Sequence, residues 1–514
     1  MTAVAIAATP SRVRTGWLLP AVVIAVAWGL ARWATVPYMV GVFHDDGIYA
    51  LLARSIATGG GFHYSHLAGA PAATHYPPLY PLLLAAAWRI APTFPRNVSF
   101  LLGVNALLIG IAAGGWALFA TRRLAWPPLV AGTGALAATL SAPVLVLASA
   151  LLSEPLFMAL LWPSLLLCEH SVDGGDRTTA LWTGAIVGLL MLVRTHAIAL
   201  LLGVLIVLVA RRRYRPARAV LVVALAVQLP WLLWTHWALP RVPAPLEGAY
   251  GSYAGWFATG IREGGITFTM ATARVNLVEC WLLLQDRFAA GMPLSIHHLT
   301  MGIVLAAMLV GGWSLMRRAP VTIAFTLLYL GIVIIWPYSP WRFVWSIWPL
   351  LALFILEGVR SLWLVAGRWR TVVVIGATLP TLAFLRTELH AYATRSWRVP
   401  ARQATAQIVP VVGWVQAHTS QHDIVLSEGE QVIALYAGRQ AAPPIAFTAT
   451  EYLMPRTVAE GSARLEAMLA AVPARYVILI ESAMLASADE LANRHHGLRR
   501  IDTLSNGAVY EVVP

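Results

Sequence analysis

The chain contains no lysine: all 36 of its basic residues are arginine. Catalysis through a lysine Schiff base is thereby excluded. Cysteine is almost as scarce, with Cys168 inside an apolar run and Cys280 in a long stretch that reads as loop. Neither a disulfide framework nor a cysteine-based metal site is supported. Charge is rare as well. Asp, Glu, Lys and Arg make up 11% of the 514 residues, about half the share carried by a soluble globular domain. The sequence has no internal repeat and no low-complexity tract. What it has instead is apolar surface: 59% apolar residues, 22 tryptophans and a mean hydropathy of +0.70.

About 20 apolar residues cover the hydrocarbon core of a bilayer. On that scale the apolar runs predict about eleven transmembrane helices, near 16–40, 98–120, 126–149, 152–168, 179–193, 195–210, 219–239, 298–316, 320–337, 343–366 and 371–385. The formal charge of +13 raises the question of nucleic acid, but no basic patch is interleaved with aromatics as base stacking requires. The arginines fall in short gaps between apolar runs, at Arg122–Arg123, Arg177, Arg211–Arg213, Arg317–Arg318 and Arg368–Arg370. That is the pattern of cytoplasmic loops beside membrane lipids.

Parity fixes the rest of the topology. The first run follows Arg12 and Arg14 but continues past the length of a signal peptide, so it reads as a retained span with a cytoplasmic N-terminus. The segment 77–93 is short and proline-flanked. Counting it as a span would move most arginine clusters outside, so it reads as a helix on the outer leaflet. The same audit splits 179–210 into two short spans that turn at Arg194. A transmembrane domain over 1–390, with outward loops 41–97 and 240–297, then precedes an extracytoplasmic α/β domain over 391–514. In the latter, Asp423–Ser427 and Tyr476–Ile480 read as buried strands and 459–472 as an amphipathic helix.

Four outward-facing motifs could carry chemistry. His44-Asp45-Asp46-Gly47-Ile48-Tyr49 places two carboxylates beside hydrocarbon, where they are costly to keep. Their mutual repulsion suits one of them to accept a proton. Helix capping by Asp46 over Gly47–Thr58 explains one aspartate but not both. In Thr74-His75-Tyr76-Pro77-Pro78-Leu79-Tyr80, His75 is either a loop residue or a ligand for a divalent metal ion or phosphate. Ser153-Glu154-Pro155-Leu156-Phe157 reads as an ordinary acidic helix start that shares the aqueous side of Asp45. Arg194 and Arg342 either snorkel to lipid headgroups or grip a phosphate through the planar guanidinium.

The acidic pair, the Pro77-Pro78-Leu79-Tyr80 surface helix, Ser153-Glu154-Pro155-Leu156-Phe157 and Arg342-Phe343 recur in this order and sidedness in one known family. The sequence resembles the GT-C glycosyltransferases of the protein O-mannosyltransferase and lipid A aminoarabinose transferase type (family 39-like), over about residues 10–390 plus a small outward C-terminal domain. The resemblance implies inverting transfer of a hexose or pentose from a polyprenyl-phosphate-linked donor, on the outer face of the bacterial cytoplasmic membrane. It places the base on Asp45, the second acid on Asp46 and the acid of the second outward loop on Glu154. Tyr49, Tyr76, Arg194 and Arg342 are then the candidate substrate-binding residues. The family's Glu-Lys-Pro stretch falls on His75, Tyr76 and Pro77. Histidine keeps a metal-binding capacity there, but tyrosine supplies no positive charge, so the phosphate grip shifts to Arg342 and Arg194. The acceptor (glycolipid, polysaccharide or protein) is open. The alternatives are a lipid or glycan transporter or flippase, against which the lack of a repeat counts, and a non-catalytic scaffold.

Overall fold

The computed structural model of the chain describes residues 11–495 and 497–513. The residues before Ser11, on which the expected cytoplasmic N-terminus falls, lie outside that range. Long apolar helices dominate. Those matching the expected spans are Ser11–Ala34, Val98–Leu124, Glu154–Val172, Arg177–Met191, Ile198–Ala210, Tyr214–Trp237, Leu294–Arg318, Pro320–Ile335, Trp348–Val365 and Arg370–Thr394. The stretch 126–149 folds as two helices, Pro128–Thr139 and Ala142–Ala148, bent by 62°.

Among the described residues, seven helices are long and apolar enough to cross a membrane, or up to eight with the bent pair. The chain is a multi-pass membrane protein. The count of about eleven is not reached because Arg177–Met191, Ile198–Ala210 and Pro320–Ile335 have only 15, 13 and 16 residues. At 1.5 Å per residue these span about 20–24 Å, short of a hydrocarbon core of about 30 Å. The stretch 179–210 does break into two helices, with Arg194 extended at the break and a 3₁₀ turn over Thr195–Ala197. The segment 77–93 forms the short helix Leu79–Ile90.

One expectation is corrected. The stretch 240–297, taken as loop, contains the 36-residue helix Tyr253–Phe288, interrupted at Gly265 (φ +65°). Arg262, Glu263, Arg274, Glu279, Asp286 and Arg287 break up its apolar runs, so a search for uncharged stretches passes over it. Cys280 is accordingly helical rather than in a loop.

The C-terminal segment carries a five-stranded sheet: β1 (Ile424–Ser427), β2 (Gln440–Ala442), β3 (Tyr476–Leu479), β4 (Leu498–Leu504) and β5 (Gly507–Val512), in the order β2-β1-β3-β5-β4. β1 runs parallel to β2 and β3, whereas β5 pairs antiparallel with β3 and β4. Helix Val458–Ala471 opens with a reciprocal cap between Thr457 and Glu460, which satisfies two otherwise orphaned amides. This unit is tied to the membrane helices. Trp397 Nε1 and Arg398 Nη2 donate to the Ala34 carbonyl at 3.1 and 2.8 Å, closing the C-terminal end of the first helix.

Helix–helix contact in lipid depends on small residues that let backbones approach. Helices Leu294–Arg318 and Trp348–Val365 meet through Gly311 and Gly358. A Cβ on Gly358 would collide with the Ala307 carbonyl, and one on Gly311 with that of Phe354. Gly358→Val should therefore lower the thermal inactivation temperature of the purified protein, at a cost of about 1–3 kcal/mol for overpacking. An unchanged melting profile would contradict this packing.

Candidate active site under the C-terminal domain

The chain leaves its first helix through an irregular loop that ends in a tight turn. His44 adopts φ 62°, ψ −71°, and Asp45 N donates to Phe43 O at 2.8 Å. This is a γ-turn, a conformation that costs a non-glycine residue about 1–3 kcal/mol. Strain of this kind persists only where the surroundings enforce it. Here Asp46 accepts from Gly41 N and Phe43 N, both at 2.9 Å, stapling the loop from behind. Asp46 is buried and lies behind the turn rather than in the cavity that Asp45 faces. Burial pushes its carboxyl up to about 6, against the pull of the Gly41 and Phe43 amides. It does not cap the helix: the helix begins at Asp45, with His44 in the cap position.

Asp45 faces a cavity of about 450 Å³. Its Oδ2 receives Arg342 Nη1 at 2.7 Å and its Oδ1 the Tyr76 hydroxyl at 2.9 Å. Burial alone would raise the Asp45 carboxyl, but the Arg342 guanidinium and His44 outweigh it and hold the group down at about 2. The same guanidinium reaches Glu154 Oε1 through Nε at 3.0 Å and Nη2 at 2.9 Å. Arg194 Nη1 adds a third contact to that oxygen at 2.8 Å. Ser153 bonds both to Arg194 Nη1 and to the Tyr49 hydroxyl at 3.2 Å. Asp45, Glu154, Arg194, Arg342, Tyr49 and Tyr76 thus converge, although their sequence separations reach 297 residues. Two arginines face the buried Glu154 and the half-buried Asp45, and leaving the buried acid unpaired would cost several kcal/mol.

His75 lines the cavity: its Nδ1 lies 2.6 Å from the Gly251 carbonyl and its ring packs on Tyr253 at 3.7 Å, an arrangement that leaves Nε2 available. Burial lowers its pKa to about 4. Among the described residues no group of three His, Cys, Asp or Glu side chains is placed to hold a metal ion. Both Asp45 oxygens are hydrogen-bonded, to Arg342 and Tyr76.

Several lining residues escaped the sequence reading. His196 is buried with an unpartnered Nε2, packed against Phe343 and Trp336 at ring distances of 4.7 and 5.4 Å. Trp256, Trp336, Tyr338 and Phe447 form an aromatic wall. Glu428 and Glu430 reach the cavity from the turn after β1, and Gln431 lies beside it. Only their position after a buried strand could have drawn attention to them.

The sequence matches no family model and no curated protein. Solved structures do match. An oligosaccharyltransferase of Archaeoglobus fulgidus, in complex with Zn and sulfate, superposes with a TM-score of 0.54 at 13% identity, covering 89% of this chain and 67% of its own. ArnT from Cupriavidus metallidurans bound to undecaprenyl phosphate gives 0.50 at 14% identity, over 97% of this chain and 98% of its own. The same protein in the apo state gives 0.52 at 13% identity, over 98% of both chains. The fold is GT-C-like. Its helical part and its small C-terminal sheet fall together within the ArnT match, so the fold extends over nearly the whole chain.

Glu430 supplies a measurable signature of the site. It is buried, and burial pushes its carboxyl up to about 8 even though Tyr250 and Gln431 donate to it. An unfolded chain gives up that proton near the ordinary value of 4.5. The folded chain therefore holds a proton the unfolded chain has lost, and stability falls as pH rises between these values. Glu430→Gln should shrink the drop in Tm between pH 5 and pH 8. An equal drop in variant and wild type would contradict the buried, protonated acid.

Proposed function

We propose that the chain is an inverting glycosyltransferase that moves a sugar from a polyprenyl-phosphate donor to an acceptor hydroxyl or phosphate, on the outer face of a bacterial cytoplasmic membrane. The observation that carries this reading is the Arg342 guanidinium held between Asp45 and Glu154, with Arg194 alongside. A guanidinium fork already placed between carboxylates is shaped to accept the oxygens of a departing phosphate. The GT-C-like fold adds support, since one ArnT structure of that fold holds undecaprenyl phosphate.

The chemistry follows from charge. As Asp45 takes the acceptor proton, the acceptor oxygen attacks the anomeric carbon from the face opposite the phosphate. The bond from that carbon to the phosphate oxygen breaks, and its electron pair leaves with the polyprenyl phosphate. Arg342 and Arg194 stabilise the charge that develops there. Held at about 2 by Arg342, Asp45 is a weak base. A donor phosphate that draws Arg342 toward itself would loosen the pair and raise the proton affinity of Asp45. Donor binding and base activation are then one event. Glu154 keeps both arginines oriented throughout.

The test is turnover by the full chain in liposomes, with undecaprenyl-phosphate-linked hexoses and pentoses radiolabelled in the sugar and an envelope extract as acceptor. Wild type should transfer label from at least one donor. Asp45→Asn should lose on the order of 10² to 10⁴-fold of that rate while binding undecaprenyl phosphate as before. Full transfer by the variant removes Asp45 as base, and translocation of donor without transfer would favour a flippase.

A further inference from the structure

The loop that presents Asp45 is clamped from the C-terminal domain. Helical residues 430–437 lie so closely against it and the helix start it leads into that neither Gly41 nor Gly47 could carry a side chain. A Cβ on Gly47 would sit 2.5 Å from Gln431 Cβ, and one on Gly41 would sit 2.9 Å from Val432 Cγ2. The Val40 amide donates to the Tyr436 hydroxyl at 3.0 Å. The strained γ-turn at His44 therefore has a second support besides Asp46, supplied by residues nearly 400 positions away.

The clamp has a chemical polarity. Gln431 Nε2 lies 2.6 Å from His44 Nδ1 and 2.7 Å from Glu430 Oε1. Glu430 Oε1 also accepts from the Tyr250 hydroxyl at 2.9 Å, and Tyr250 in turn lies 3.1 Å from His66 Nε2. The Gln431 amide thus has both of its hydrogens spent, one on the acid and one on the imidazole. A ring that accepts at Nδ1 carries its proton on Nε2. The His44 side chain is 42% exposed, lines the same cavity as Asp45, and makes no hydrogen bond through Nε2 among the described residues.

We propose that Gln431 is a positioning residue of the active site: it fixes His44 as an Nε2–H donor directed at a substrate oxygen beside Asp45. The C-terminal domain then completes the catalytic loop rather than merely covering it. This rests on the transferase reading above and adds to it a neutral donor, suited to a sugar or acceptor hydroxyl, next to the base. Gln431 itself touches no substrate and acts through the tautomer and orientation of His44.

Two measurements on the full chain separate this proposal from the reading beneath it. The first needs no substrate: ¹⁵N imidazole NMR in nanodiscs, with the His44 signals identified by their loss in His44→Gln. Wild type should show an unprotonated Nδ1 and a protonated Nε2, and Gln431→Leu should show a mixture of tautomers. The second is turnover of whichever undecaprenyl-phosphate-linked sugar wild type uses. Gln431→Leu should lower kcat by ten-fold or more with KM for the donor unchanged. His44→Gln, whose amide can place an N–H near the Nε2 position, should retain several-fold more activity than His44→Ala. Mixed tautomers in wild type, or full kcat in Gln431→Leu, would overturn the proposal. A wild-type chain that locks the imidazole but turns over no polyprenyl donor would instead overturn the transferase reading, and the catalytic role of Gln431 with it.

Discussion

The structure of this site depends on one guanidinium. Arg342 meets Asp45 from the loop after the first helix and Glu154 from the start of a membrane helix, at 2.7 and 2.9 Å. Each acid is buried or nearly so, and each would be intolerable there without a cation. The arginine is held in turn by the short helix Trp341–Ser346. Three distant stretches of chain are thereby locked together at one end of the helix bundle. The electrostatics that assemble the fold at this point are also those a lipid-linked phosphate would exploit.

The second constraint is steric. A loop with a positive-φ histidine, flanked by Gly41 and the helical Gly47, neither of which can accept a Cβ, needs support on both sides. Asp46 provides one support through backbone amides, and the helical turn after β1 provides the other. Asp45 and Asp46 are adjacent in sequence but face opposite ways: one is turned to the cavity and paired with arginine, the other is turned inward and holds the loop. Their proton affinities diverge accordingly, to about 2 and about 6. The divergence has two sources: Arg342 pulls Asp45 down, while deeper burial pushes Asp46 up against the amides that hold it.

Much of this was legible in the residues. Uncharged runs located the membrane helices, and arginine placement separated 179–210 into two. The order of His44-Asp45-Asp46, Ser153-Glu154-Pro155 and Arg342-Phe343 pointed to one cavity. Three things were not legible. The helix Tyr253–Phe288 hides behind its own charges. Asp46 could be assigned to a cap or to catalysis, because hydrogen bonds to Gly41 and Phe43 depend on a γ-turn that no propensity encodes. His196, Glu430 and Gln431 belong to no local pattern: they reach the site through tertiary packing alone, and that packing is invisible to spacing.

A shared arginine implies that substrate must compete with Asp45 for it. The most direct measurement is a structure of the full chain with undecaprenyl phosphate bound. The account predicts the phosphate within hydrogen-bonding distance of Arg342 or Arg194, with the Arg342–Asp45 contact lengthened beyond its 2.7 Å. A phosphate seated away from both arginines, with that contact intact, would contradict it.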